Sequence, residues 1–251
     1  MDSFTIVMQI LNIDILSIKK EEVLQSFHEG VLFTPNVDHL VKLQKDKEFY
    51  EAYQKADYVI CDSRILYFFS KLQKHSIQET ISGSTFFHEY CRYHRDDELT
   101  RVFILGGKEG IAEKAKERIN SSLNSNIIVG AHAPSFHIDE EESKEIAQLI
   151  NDSGANVVLV ALGAPKQEKW IVKYRHLMPQ VKTWLALGAT VDFEAGTLKR
   201  APECWRTLGL EWFYRFLQEP RRLFRRYFID DMKFFWYFGK QLMGIYHNPF
   251  E

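Results

Sequence analysis

"NVVLVALGAPKQEKW", residues 156–170, is apolar at every position from Val157 to Leu162, then turns at Gly163 and Pro165 into a polar, helix-forming stretch. A strand that is apolar at consecutive residues has both faces covered, as parallel strands with helices on each side do. Its neighbours in the chain repeat the pattern. "RVFILGG" (101–107), "NIIVGAH" (126–132) and "KTWLALGA" (182–189) are of the same kind. "TIVMQILNIDILSI" (5–18), "VLFT" (31–34) and "YVIC" (58–61) add further β-rich runs. Between the runs stand helix-like stretches such as "EGIAEKAKERINSSL" and "DEEESKEIAQLINDSG". In the first, Ile111, Ala115, Arg118 and Ile119 recur at helical spacing, with glutamates early, as the helix dipole prefers. The alternation predicts an α/β fold: a three-layer, Rossmann-like domain with a mainly parallel sheet over residues 1–195. After "LKRAP" the tryptophan, phenylalanine and arginine content rises and the strands stop, which predicts a C-terminal helical appendage over 196–251.

The bulk numbers fit one large domain with an appendage. Of 251 residues, 45% are apolar and 26% charged, enough for a buried core and against global disorder. A formal charge of -2 argues against a general nucleic-acid binder. Cys61, Cys91 and Cys204 lack any CxxC spacing, so a reducing compartment without structural zinc is expected. The N-terminus has no basic region ahead of its apolar run, which Asp14 interrupts, so it does not read as a signal peptide. No window reaches eighteen consecutive apolar residues, so no bilayer span is expected.

In such sheets ligands sit beyond the carboxyl ends of the strands. Four strand ends carry "TPNVDHL", "CDSR", "LGGKEG" and "LGAPKQEKW". Gly106, Gly107 and Gly110 let a turn tighten and the next helix offer free N–H groups to phosphate, although a plain tight turn is the commoner explanation of such glycines. Neither GxGxxG nor GxxxxGK[ST] occurs. Gly163 and Gln167 form a second such junction, in which Gln167 is placed to hydrogen-bond a base or sugar. Asp62 ends a strand, where a carboxylate serves as a general base or, alternatively, Asp62 or Ser63 caps the helix that follows. Thr34 and Asn36 are cap and turn formers, and Asp38 and His39 are expected to face solvent. The nine histidines show no metal-ligand spacing, so no metal site is expected.

"FTPNVDHLVKLQKD", "ADYVICDSR", "ISGSTFF", "VFILGGKEG", "VVLVALGAPKQEKWI", "ALGATVDFEAGTLKRAPECW" and "LGLEWFYRFLQEPRRLFRRY" occur in this order. Together they resemble the WecG/TagA/CpsF family of inverting glycosyltransferases. The resemblance implies transfer of a sugar from a nucleotide diphosphate donor to a polyprenyl-diphosphate-linked saccharide at the cytoplasmic face of the bacterial membrane, without cofactor or metal. It implies Asp62 as catalytic base and Thr34 and Asn36 as active-site residues. Gly106, Gly107, Gly163 and Gln167 fall in its nucleotide-sugar motifs, and Asp192 and Arg200 in a block near the site. The family commonly shows DGxG after the strand, whereas this chain reads Asp62-Ser63-Arg64-Ile65 and lacks both glycines. A nucleotide-sugar-binding, membrane-associated scaffold without catalysis is the competing reading.

"EPRRLFRRYFIDDMKFFWYF", residues 219–238, reads as an amphipathic helix starting at Pro220. Arg221, Arg222, Arg225 and Arg226 fall on one broad face by their four-residue spacing, with Leu223, Phe224, Tyr227 and Phe228 opposite. Docking on an anionic membrane surface, or contact with the donor diphosphate, is expected of these arginines. The apolar residues also offer a surface for a homo-oligomer.

Overall fold

Successive side chains of each central strand enter different cores. Val102, Ile104, Val157 and Leu159 join one buried cluster. Phe103, Leu105, Val158 and Val160 join another on the opposite face. That two-residue alternation is why the runs are apolar throughout, and it makes the molecule three-layered. The computed structural model describes residues 6–202, 205 and 210–251, apart from the Arg222 side chain.

The sheet is formed by β3 (Gly30–Phe33), β4 (Tyr58–Val59), β5 (Val102–Gly106), β6 (Ile128–His132), β7 (Val157–Ala161) and β8 (Thr183–Ala186). All pair in parallel, in the order β4-β3-β8-β7-β5-β6. Helices α2 (Val37–Lys42), α3 (Lys47–Tyr53), α7 (Glu140–Ser153) and α8 (Lys166–Tyr174) cover one face. Helices α1 (Lys20–Ser26), α5 (Gly83–Tyr93), α6 (Ile111–Leu123) and α9 (Thr190–Glu194) cover the other. Helix α4 (Arg64–Ser70) follows β4. In α6 the inward stripe is Ala112, Ala115 and Ile119, and Arg118 is exposed instead, its guanidinium donating to the Ala195 carbonyl at 3.4 Å.

The N-terminal run folds apart from this sheet. It is an antiparallel hairpin of β1 (Ile6–Ile10) and β2 (Ile13–Ser17). Leu11 takes φ 55 in its turn, unusual for a residue with a side chain. Its N–H donates to Gln241 Oε1 at 2.9 Å, and its side chain is buried.

The C-terminal segment contains α10 (Glu211–Gln218), α11 (Pro220–Arg225), a π-helical turn (Arg226–Asp230) and α12 (Met232–Leu242). Phe234 and Phe238 of α12 are fully buried and surround Phe69 of α4 at 5.7 and 5.3 Å between ring centroids. No helix among the described residues is long and apolar enough to cross a membrane. Cys61 and Cys91 are free and buried, and Cys204 lies outside the described residues.

Candidate active site

Beyond the carboxyl ends of β4, β3 and β8 lies a cleft of about 330 Å³, walled on its far side by the C-terminal helices. Asp62, Thr34 and Asn36 line it from the sheet, and Arg215 and Arg226 from the helical segment. At "CDSR" one residue takes the capping role. Ser63, not Asp62, caps α4, its Oγ accepting from the Leu66 N–H at 3.3 Å.

Asp62 is therefore free to face the cleft. Burial raises its pKa to about 7, and the Glu211 carboxylate pushes the same way. Arg215 and hydrogen bonds donated by the Gly83 N–H and the Ser82 side chain act against that rise. Asn36 caps α2 by accepting from the His39 N–H at 3.2 Å, and Thr34 is buried at the cleft floor.

Asp38 and His39 do not face solvent. His39 is buried, its Nδ1 2.7 Å from the Tyr53 hydroxyl, and burial lowers its pKa to about 3. Asp38 is 7% exposed and pairs with Lys42 at 2.8 Å and Arg226 at 3.2 Å.

The glycine turns lie to one side of Asp62 rather than around it. Gly106 and Gly107 end β5 and Gly163 follows β7, three to four strands along the sheet from β4. At ~4.8 Å per strand that is about 14–19 Å. From β5 the chain continues to β6 and from β7 to β8, in opposite directions along the sheet. The crevice between them is a topological switch point, where open α/β sheets bind ligands. Gly106, Gly107 and Gly163 all have positive φ, and a Cβ on Gly106 would run into the Ala161 carbonyl. Gly163 has open space where its Cβ would stand. Gln167 is 2% exposed; its Oε1 accepts from the Gly163 N–H at 3.1 Å and its Nε2 donates to Glu168 at 2.8 Å.

Asp192 and Arg200 are not in the cleft wall. The Asp192 carbonyl accepts from the Thr197 and Leu198 N–H groups, closing the turn after α9. Arg200 donates to Ser84 O at 3.2 Å, pairs with Glu194 at 3.5 Å and lies over the Phe193 ring at 5.8 Å. Arg215 lies at the same distance from that ring, and Phe193 lines the cleft.

The four tail arginines separate. Arg226 enters the cleft wall, its guanidinium 5.7 Å from the Tyr227 ring centroid. Arg221 is exposed, Arg225 is 83% exposed, and the Arg222 side chain lies outside the described residues. Leu223 is buried, whereas Phe224 and Phe228 are exposed, so the apolar side of the expected helix is divided as well. Glu211, Arg215, Ser82 and Asp231 line the cleft without having been singled out in the sequence. One signal was available: Glu211 and Arg215 are four apart, so a helix puts both on one face.

The α/β sheet thus carries a cleft lined by a carboxyl of raised pKa and two arginines, beside a glycine-lined switch point. Residues 8–248 match the glycosyl transferase WecG/TagA/CpsF family, and the chain belongs to that family. It is a glycosyltransferase.

Proposed function

We propose that the enzyme is an inverting glycosyltransferase that moves a sugar from a UDP-linked donor to a polyprenyl-diphosphate-linked saccharide in bacterial cell-surface polysaccharide synthesis. Asp62 is its general base. The observation that carries this reading is that Ser63 caps α4 and leaves in the cleft a carboxyl with a pKa of about 7. Such a group is about half ionised at neutral pH, yet basic enough to take a proton in a transition state. The acceptor hydroxyl oxygen bonds to the donor's anomeric carbon while the bond to the diphosphate breaks on the opposite side. The hydroxyl proton goes to Asp62. An α-linked donor gives a β-linked product.

Charge growing on the leaving diphosphate is met by Arg226 and Arg215 and by backbone N–H groups. Gly106, Gly107 and Gly163 receive the nucleotide end, and the distance from their crevice to Asp62 suits an extended nucleotide diphosphate sugar. Gln167 shapes that end by holding the Gly163 turn, and Thr34 and Asn36 orient the reacting sugars. Asp192 and Arg200 support Phe193 against the donor. Residues 1–195 supply the base and the nucleotide turns, and 196–251 add Arg215 and Arg226 to the cleft and attach the enzyme to the inner face of the cell membrane. Exposed Arg221 and Arg225 meet anionic headgroups, and exposed Phe224, Ile229 and Trp236 enter the interface.

Asp62→Asn keeps the shape and removes the base. Donor binding by calorimetry is expected to survive while product formation falls ~10²–10⁴-fold. Wild-type turnover in this variant would overturn the assignment of Asp62 as base, whereas donor binding with no turnover in the parent protein would leave a nucleotide-sugar-binding scaffold.

A further inference from the structure

Asp38 has no capping duty, because Asn36 caps α2. One oxygen, Oδ2, instead takes two cations: Lys42 Nζ at 2.8 Å and Arg226 Nη2 at 3.2 Å. Lys42 Nζ also donates to the Ala164 carbonyl at 3.1 Å, in the turn that contains Gly163. A chain of contacts thus runs from the tail, through α2, to the β7–α8 turn. One carboxylate set against two cations leaves positive charge on a cleft wall. Two further acids face this group, Asp231 and Glu168; both are buried, and burial raises the pKa of each to about 7, so each is only a partial counter-charge at neutral pH. Arg226 Nε is buried without a hydrogen-bond partner, so the Asp38 ion pair, with the Tyr227 ring 5.7 Å away, sets the guanidinium's direction. The π-helical turn cooperates: the Asp231 N–H reaches back five residues to the Arg226 carbonyl at 2.8 Å, which sets the backbone from which Arg226 projects.

We infer that Asp38 is a positioning residue, which aims Arg226 at an anionic diphosphate group in the cleft and, through Lys42, ties that aim to the Gly163 turn. The inference rests on the glycosyltransferase reading of the same cleft. Preset donors stabilise developing charge better than donors that must reorganise. The alternative is a buried ion pair that serves stability alone.

A double-mutant cycle separates the two. Asp38→Asn, Arg226→Gln and the pair are compared for binding of inorganic pyrophosphate, for kcat and KM, and for Tm. With Arg226 present, Asp38→Asn is expected to weaken pyrophosphate binding and lower kcat/KM about tenfold. With Arg226 already removed, the same change is expected to alter either by less than about twofold. Equal losses in both backgrounds, or full pyrophosphate affinity and turnover in Asp38→Asn, would overturn the inference. If Asp38→Asn does not fold, the cycle is run with Lys42→Gln and Arg226→Gln. Non-additive losses in pyrophosphate affinity then support the relay, and additive ones overturn it. Pyrophosphate binding does not depend on Asp62 as a base, so failure of the base assignment leaves this result readable.

Discussion

Asp62 is placed to be half protonated near neutrality, and that has two consequences at the level of one side chain. The first is kinetic. Because the base acts in its ionised form, kcat/KM is expected to rise with pH through about 7 and then level, at fixed acceptor concentration. The residual activity of Asp62→Asn should lack that limb. The second is energetic. A carboxyl whose pKa is raised on folding opposes folding once it ionises. Asp62→Asn is therefore expected to melt at a higher temperature than the parent at pH 8, while being nearly inactive. A lower Tm would mean that the hydrogen bonds from Ser82 and Gly83 outweigh the burial cost. The glycines differ at this scale too. Gly107 has φ +80, and a Cβ there would meet Val191 Cγ1 at 3.1 Å, so Gly107→Val chiefly disturbs the fold. Gly163 has φ +76 but open space, so Gly163→Ala is expected to cost ~1–2 kcal/mol of stability. In the folded protein its UDP affinity should fall. Unchanged affinity would make the turn purely structural.

At the scale of elements, the central strands β3, β5, β7 and β8 were legible because burial on both faces writes an uninterrupted apolar run. Asp62, Thr34 and Asn36 were legible because they follow β-rich runs directly. The hairpin was not. Its two strands are separated by Leu11 and Asn12, with no glycine, and the Leu11 conformation is held by Gln241, 230 residues away. The tail was half legible. Its helices were expected, but four-residue spacing assumes an unbroken α-helix, and the π-helical turn at Arg226 changes the phase just where the cleft begins. Glu211, Arg215 and Asp231 reach the cleft only because the tail folds back over the sheet, which local periodicity cannot encode. The division of the arginines changes the membrane experiment. Arg221→Gln with Arg225→Gln is expected to weaken flotation with anionic liposomes by ~2 kcal/mol, at about 1 kcal/mol per cation, and to leave turnover on a soluble short-chain acceptor intact. Arg226→Gln is expected to do the reverse, lowering turnover on soluble and lipid acceptors alike. Flotation unaffected by the first pair would rule out an arginine anchor.

For the whole molecule, the titrating groups point to stability that declines across neutral pH. Asp62, Glu168 and Asp231 each have folded pKa values of about 7, against ordinary values of 3.8, 4.5 and 3.8, and burial is the leading cause for all three. Between those limits the folded chain holds protons that the unfolded chain has released, so stability falls as pH rises and the loss is complete above pH 7. His39 acts in the opposite sense. Its folded pKa of about 3 lies below the usual 6.5, so its contribution grows as pH rises and is complete once the unfolded histidine is neutral. His94, also lowered by burial, follows it. Below pH 6.5 the two sets offset each other, whereas above it the carboxyls dominate, because each histidine has only about 0.4 kcal/mol left to return as its unfolded form loses the last of its proton. The test is therefore confined to pH 6.5–8. Over that range the three carboxyls together remove ~2 kcal/mol, which in a chain of this size corresponds to a Tm lower by roughly 5 °C at the alkaline end. Glu168→Gln should flatten the slope by about a third. Its site lies beside the Gly163 turn and its Oε2 is buried without a hydrogen-bond partner, so the amide also relieves an unpaired charge. A Tm that is flat or rising from pH 6.5 to 8 would mean that water or a counter-charge reaches these carboxyls, and the raised pKa assigned to Asp62 would fall with them.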